Sequence, residues 1–127
     1  MGRADADLVR DLYAALGRGD MEAVLGGMAP DVVFETTVET HHGRDGVRAW
    51  LRATFDALDD FQAVVERVLD AGDGRVLVDV YETARGRSSG LPLEHRFAHL
   101  WTVRDGRAVR FQAFTDRAEA RRVVGLG

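Results

Sequence analysis

A long β-hairpin in the last third of the chain constrains the fold more than any other segment. Residues 95–116 alternate apolar and polar side chains on both sides of a central Asp105-Gly106 pair, which is typical of a turn between antiparallel strands. Two loop lengths fit this pattern. A two-residue loop would put the apolar residues of the first strand on the same face of the hairpin as the polar residues Arg110 and Gln112 of the second strand. A type I turn with a bulge at Gly106 would instead pair Val103 with Arg107.

We predict the second register because it separates apolar from polar side chains better. Arg110 and Gln112 then lie together on one face of the hairpin. The residues of the other face are Phe97, His99, Trp101, Val103, Val109, Phe111 and Ala113. Since His99 is the ionisable side chain in this otherwise apolar wall, it is the first candidate for a functional residue.

The composition is that of an ordinary globular protein, and it argues against several classes of function. A chain of 127 residues, 46% hydrophobic and 30% charged, is expected to form one domain over residues 1–127. The net charge is −4, and all 17 basic residues are arginines scattered among acids, which argues against a nucleic-acid partner. The absence of cysteine excludes disulfides and zinc–thiolate sites. No run reaches membrane-spanning length, so we expect a cytoplasmic protein without a membrane partner.

The periodicity of the apolar residues predicts helices followed by strands. Val9, Leu12 and Leu16 share one helical face, and Asp20 is a suitable N-cap for a short second helix that ends at Pro30. The predicted elements are, in order, helices over about 6–17 and 21–28, a strand over 32–37, a loop over 40–46, a helix over 47–58, strands over about 61–69 and 75–85, the hairpin, and a short helix or tail over 116–122.

This order is that of an α+β protein, and we expect a cone-shaped, curved antiparallel sheet wrapped around three helices. The alternation of strand residues assigns each of them to a face. Val76, Val78 and Val80 lie on the inner face, which places Glu82 there too and Asp79 on the outer face. Glu82 is therefore the acid closest to the apolar wall in this prediction. The alternatives are a solvated position of Glu82 at the rim or, if a bulge shifts the alternation, Asp79 as the acid of the pocket.

Four segments resemble the nuclear transport factor 2-like superfamily, within it the SnoaL-like and ketosteroid-isomerase-like group. They are residues 9–20, 28–35, 43–50 and 101–107, and the resemblance covers nearly the whole chain. It implies a cystatin-like roll with an internal cavity, and commonly a homodimer through the outer sheet face. It does not imply one activity, because the fold hosts isomerases, cyclases, hydrolases, dehydratases and proteins without known catalysis.

The catalytic residues of the characterised members are mostly missing at the matching positions. Where steroid isomerases have a general-base Asp, this chain has Thr36. The position of their oxyanion Tyr is Leu12, and Tyr13 lies one residue on, rotated by about 100° around the helix. Their protonated Asp matches His99. The acid of the SnoaL-type cyclases has only Asp116 as a candidate, at the end of its strand.

His99 is the predicted catalytic residue, as a general base or as a hydrogen-bond donor to an oxygen that becomes negative. Glu82 would orient it. The alternative is a core histidine bonded to a backbone carbonyl or to Glu82, without chemistry. The adjacent His41 and His42 lack a third ligand at metal-binding spacing, so no metal site is expected.

The aromatic residues are expected to form the walls of a pocket for a small apolar ligand. The predicted ligand-binding residues are Tyr13, Phe34, Thr36, Trp50, Phe55, Phe97, Trp101 and Phe111. We expect a small-molecule pocket protein of the SnoaL-like group. If it is an enzyme, we expect an isomerase, cyclase or hydratase without cofactor, acting on an apolar carbonyl or polycyclic substrate. The alternative is a non-catalytic ligand-binding domain or a dimeric interaction domain.

Overall fold

The computed structural model describes residues 2–126 and contains one six-stranded sheet with helices on both of its faces. The helices are α1 (Gly2–Gly17), α2 (Met21–Gly26), α3 (Gly43–Ala57) and α4 (Arg117–Val123). The strands are β1 (Met28–Glu35), β2 (Thr40–His42), β3 (Leu58–Gly72), β4 (Arg75–Gly86), β5 (Pro92–Arg104) and β6 (Arg107–Phe114). Their order in the sheet is β2-β1-β6-β5-β4-β3, and every neighbouring pair is antiparallel except β1 and β6.

The predicted α+β class and the curved sheet are confirmed, and the sheet is unclosed and antiparallel except between β1 and β6. Besides the three helices of the predicted cone, the segment predicted as a short helix or tail is helical over residues 117–123. Asp116 caps this helix by accepting hydrogen bonds from the N–H groups of Ala118 and Glu119. The second helix is shorter than predicted. Met28 already belongs to β1, and Pro30 lies in the part of β1 where the pairing with β6 is interrupted, so its missing N–H costs no ladder bond.

The hairpin between β5 and β6 has the loop length that we did not predict. Arg104 pairs with Arg107 across a two-residue loop, and both Asp105 (φ 52°) and Gly106 (φ 75°) have the positive φ of a type I′ turn. Val103 therefore pairs with Ala108 and not with Arg107. A register shift then occurs at Val109, after which the predicted faces are restored. Trp101 and Phe111 are directly opposed, as are His99 and Ala113.

The main core lies between the inner face of the sheet and helices α1, α2 and α3. Val76, Val78 and Val80 of β4 are fully buried there, as their alternation predicts. Helix α1 contributes Val9 and Leu12 from its apolar face. This packing holds the inner face of β4 and β5 against α1, and it is what positions the candidate site.

A second, smaller core lies on the outer face of the sheet, under α4. Ala120 and Val124 pack there against Leu77 and Leu100. Asp79 is on this outer face, as predicted, and its carboxylate accepts a hydrogen bond of 2.7 Å from Arg121 of α4. Helix α4 thus covers part of the face that was expected to pair with a second copy, and dimerisation through the remainder stays a prediction. Among residues 2–126, no helix is long and apolar enough to cross a membrane.

Candidate functional site

A cavity of about 130 Å³ lies between the helices and the inner face of the sheet. Its wall is apolar apart from a few polar groups, among which Tyr13, Glu82 and His99 come from α1, β4 and β5. The indole of Trp101 also faces it. A cavity with this lining provides a dry site in which a small number of polar groups decide the orientation of a ligand.

Most of the predicted site residues meet at this cavity. Besides Tyr13, Glu82, His99 and Trp101, its wall includes the predicted aromatic residues Phe34, Trp50, Phe55 and Phe111. The alternation along β4 was sufficient to place Glu82 correctly, because the pairing of β4 with β5 runs without a bulge.

Thr36 does not line the cavity, contrary to its predicted place in the wall. Strand β1 ends at Glu35, and Thr36 begins the turn to β2. Its hydroxyl donates to the carbonyl of Glu39 at 2.9 Å and accepts from the N–H groups of Val38 and Glu39. The Thr36 hydroxyl therefore makes its hydrogen bonds within the turn, as is common for threonine, and does not face a ligand in the cavity.

Phe97 shares the face of His99, as predicted, but it also lies outside the cavity wall. Its ring stacks on the imidazole, with centroids 5.8 Å apart and an angle of 23° between the planes. Phe97 therefore contributes to the burial of the imidazole without being part of the cavity wall.

Three polar side chains form a buried hydrogen-bonded chain. The indole N–H of Trp101 donates to the hydroxyl oxygen of Tyr13 at 3.0 Å. That hydroxyl is 2.6 Å from Nδ1 of His99. All three residues are at most 8% exposed. Bonds of this kind are strengthened in a medium of low dielectric constant, so the chain fixes the orientation of the imidazole.

Glu82 faces the other nitrogen of the same imidazole. Its Oε2 is 3.9 Å from Nε2 of His99, which is too far for a hydrogen bond. Burial raises the pKa of Glu82 from 4.5 to about 7. Burial also lowers the pKa of His99 from 6.5 to about 3. The two groups are therefore not an ion pair at neutral pH. The imidazole is uncharged, and the carboxyl group exchanges its proton close to pH 7.

Tyr13 keeps its proton throughout this range, because burial raises the pKa of its hydroxyl above the ordinary value. Tyr13 lies one residue after Leu12 on α1, so the two side chains point in different directions around the helix, but Tyr13 still belongs to the site. Both residues line the cavity, since α1 lies along the inner face of the sheet. Tyr13 thus contacts the imidazole directly.

A stacked aromatic group forms the wall next to His99. Phe34 and Phe111 are nearly parallel, with ring centroids 4.1 Å apart. Trp50 contacts Phe34 at 5.0 Å, and Trp101 contacts Phe111 edge-on at 4.7 Å. These flat surfaces favour a planar or nearly planar ligand.

Sequence reasoning missed several apolar residues of the wall. Leu16 of α1, Leu51 of α3 and Phe61 of β3 line the cavity. Of these, Leu16 was assigned to the apolar face of the first helix, and in this fold the cavity wall is also the core. In the described part of the chain, no group of three His, Asp or Glu side chains could hold a metal ion.

Comparison with known proteins agrees with this architecture. A family model described as the SnoaL-like domain matches residues 9–111. The chain belongs to the SnoaL-like family. The predicted membership of the SnoaL-like group is thereby confirmed.

The relatives of this SnoaL-like chain include an uncharacterised protein of Mycobacterium tuberculosis, 40% identical over 119 residues, with 87% of this chain and 88% of that protein covered. An NTF2-like protein of unknown function from Burkholderia pseudomallei has a similar structure, with a TM-score of 0.81, 27% identity, and coverage of 95% of this chain and 97% of that one. A protein of Sinorhizobium meliloti that is provisionally named a polyketide cyclase also has a similar structure. Its TM-score is 0.70 at 27% identity, with 84% of this chain and 93% of that one covered.

Proposed function

We propose that this SnoaL-like chain binds a small, monocyclic, apolar carbonyl compound and transfers a proton at the carbon next to the carbonyl group. The observation that supports this most is the position of Glu82 and His99, which face one otherwise apolar cavity with Oε2 and Nε2 3.9 Å apart. A carbonyl oxygen and the neighbouring carbon are two bonds apart. One ligand can therefore bring the oxygen to Nε2 and the carbon to Oε2.

The proposed chemistry needs no cofactor. The carboxylate of Glu82 accepts a proton from the carbon next to the carbonyl, and the electron pair of the broken C–H bond forms the enolate. The enolate oxygen accepts a hydrogen bond from Nε2 of His99, and Glu82 then returns the proton to the same or another carbon. Proton transfer is most effective when the pKa of the group lies near the working pH, and the pKa of Glu82 is about 7.

The size of the cavity favours a single ring over the polycyclic substrate that the sequence also allowed. An engineered protein cavity of about 150 Å³ is known to hold benzene. The cavity here is about 130 Å³, which corresponds to one six-membered ring. The provisional name of the Sinorhizobium meliloti relative, a polyketide cyclase, supports the proposed proton transfer. Cyclisation of a polyketide also begins with removal of a proton from a carbon next to a carbonyl group.

Hydrogen exchange in monocyclic ketones tests this proposal. With cyclohexanone in D₂O, the wild-type protein is expected to accelerate loss of the ring protons next to the carbonyl, followed by ¹H NMR. Glu82→Gln should reduce the accelerated rate about a hundredfold, because it removes the proton acceptor and keeps the shape. Glu94→Gln is the matched control, since Glu94 is exposed and bonded to Tyr81 outside the cavity.

Two results would contradict the proposal. Wild-type protein that binds the ketone but exchanges its protons at the rate of buffer would be a ligand-binding protein without this catalysis. Equal rates for the wild type and Glu82→Gln would remove Glu82 from the chemistry.

A further inference from the structure

We infer that Tyr13 is a positioning residue, which holds the imidazole of His99 in the tautomer that carries its proton on Nε2. His99 would then present a hydrogen-bond donor, and not a lone pair, to the cavity. The inference concerns the one member of the hydrogen-bonded chain that touches both of the others.

The direction of the hydrogen bonds follows from which groups can donate. The indole nitrogen of Trp101 has a hydrogen and no lone pair to offer, so it is the donor in its bond to the Tyr13 oxygen. The Tyr13 hydroxyl still has its own hydrogen to place. Within residues 2–126, the acceptor at hydrogen-bonding distance from that oxygen is Nδ1 of His99, at 2.6 Å. Nδ1 must then be unprotonated, which leaves the ring proton of an uncharged imidazole on Nε2.

The geometry of the two rings agrees with this direction. The planes of Tyr13 and His99 are 9° apart and their centroids are separated by 6.0 Å. With a contact of 2.6 Å between the hydroxyl oxygen and Nδ1, such a separation is close to the end-to-end limit. An approach of the hydroxyl near the plane of the imidazole fits this separation, and the lone pair of an unprotonated Nδ1 lies in that plane. Deep burial of both side chains keeps the imidazole uncharged and the hydroxyl protonated.

This tautomer determines what the ligand must offer. Nε2 has no hydrogen-bond partner among residues 2–126, and it faces the cavity beside Glu82. A donor on Nε2 selects an acceptor atom in the ligand, such as a carbonyl or enolate oxygen. The tautomer also determines which group accepts the proton. With Nε2 already protonated, His99 cannot accept a proton there, so Glu82 is the proton acceptor. This consequence for the ligand rests on the proposed function, whereas the tautomer does not.

The tautomer can be measured without any ligand. In protein with ¹⁵N-labelled histidine at pH 7, long-range ¹H–¹⁵N correlation spectra distinguish the protonated from the bare ring nitrogen, and His99→Gln assigns the signal. We expect Nε2 to carry the proton in the wild type. In Tyr13→Phe, which keeps the ring and removes the hydroxyl, the form protonated on Nδ1 should rise. Tyr81→Phe is the control, because that hydroxyl is exposed and bonds to Glu94.

Protonation of Nδ1 in the wild type would overturn the inference, and that measurement stands even if Tyr13→Phe does not fold. An unchanged tautomer in a folded Tyr13→Phe protein would also overturn it.

A binding comparison adds the ligand to the test. Tyr13→Phe should weaken the binding of cyclohexanone about fivefold, the value of one ordinary hydrogen bond, and leave the binding of methylcyclohexane unchanged. Equal weakening of both would indicate a change of shape and count against a positioning role. A wild type with the proton on Nε2 but without ketone exchange would refute the proposed function and leave the tautomer in place.

Discussion

In the Glu82→Gln variant, the free energy of unfolding is expected to increase with pH, by up to about 5 kcal/mol between pH 3 and pH 6.5. The cause is His99. Its pKa is 6.5 in the unfolded chain and about 3 in the folded protein, so over this interval the unfolded imidazole binds a proton that the folded one does not. Stability must then increase with pH until the unfolded imidazole is also neutral.

The wild type is expected to hide this dependence, because Glu82 has the opposite effect. Its pKa rises from 4.5 to about 7 on folding, so between these values the folded carboxyl binds a proton that the unfolded one lacks. The contribution of Glu82 to the free energy of unfolding is therefore fully present below pH 4.5 and lost by about pH 7. This lowers the free energy of unfolding by up to about 3 kcal/mol. Between pH 4.5 and 6.5 the two contributions cancel, so this site adds no slope to the wild-type curve. His99→Gln should show only the decrease that Glu82 causes.

Urea unfolding followed by circular dichroism, at intervals from pH 3.5 to 8, measures these curves for the wild type and both variants. Groups elsewhere in the molecule contribute equally to all three, so the differences between curves isolate the site. Glu94→Gln controls for the loss of an exposed carboxylate. If Glu82→Gln and the wild type had parallel curves, the raised pKa of Glu82 would be wrong, and with it the role of Glu82 as a proton acceptor near neutral pH.

The sequence was most informative where a strand is regular. The alternation of Val76, Val78 and Val80 predicted that Glu82 faces the cavity, and this is correct because no bulge interrupts the pairing of β4 with β5. The two faces of the hairpin were also predicted from alternation, and they are correct beyond the register shift at Val109. The turn of the hairpin was not predicted correctly, since a bulge at Gly106 and the observed shift at Val109 give nearly the same alternation.

Failures of prediction occurred at strand ends and across elements. Alternation continued through Thr36, but the backbone left the strand at Glu35, where the threonine hydroxyl could bond to its own turn. The contact between Tyr13 and His99 joins residues 86 positions apart. It depends on how α1 is rotated against the sheet, and no local pattern contains that rotation. The most specific feature of the site was therefore the one least accessible from sequence.

Phe111→Ala is expected to lower the free energy of unfolding by about 3–5 kcal/mol and to enlarge the cavity. Phe111 is 4% exposed and contacts Phe34, His99 and Trp101, so its removal leaves a space that the surrounding rings cannot close. The new space would adjoin the cavity, because Phe111 is part of its wall. The variant should then accept a two-ring ligand that the wild type excludes.

Thermal unfolding with and without indole measures both effects. Indole should raise the melting temperature of Phe111→Ala, because a ligand that binds only the folded state stabilises it, and should leave that of the wild type unchanged. Phe114→Ala is the matched control. Phe114 packs on the outer face with the core under α4, so its truncation should destabilise the protein without admitting indole. Indole binding to the wild type as tightly as to Phe111→Ala would mean that Phe111 does not set the size of the cavity, and the restriction to single-ring ligands would have to be abandoned.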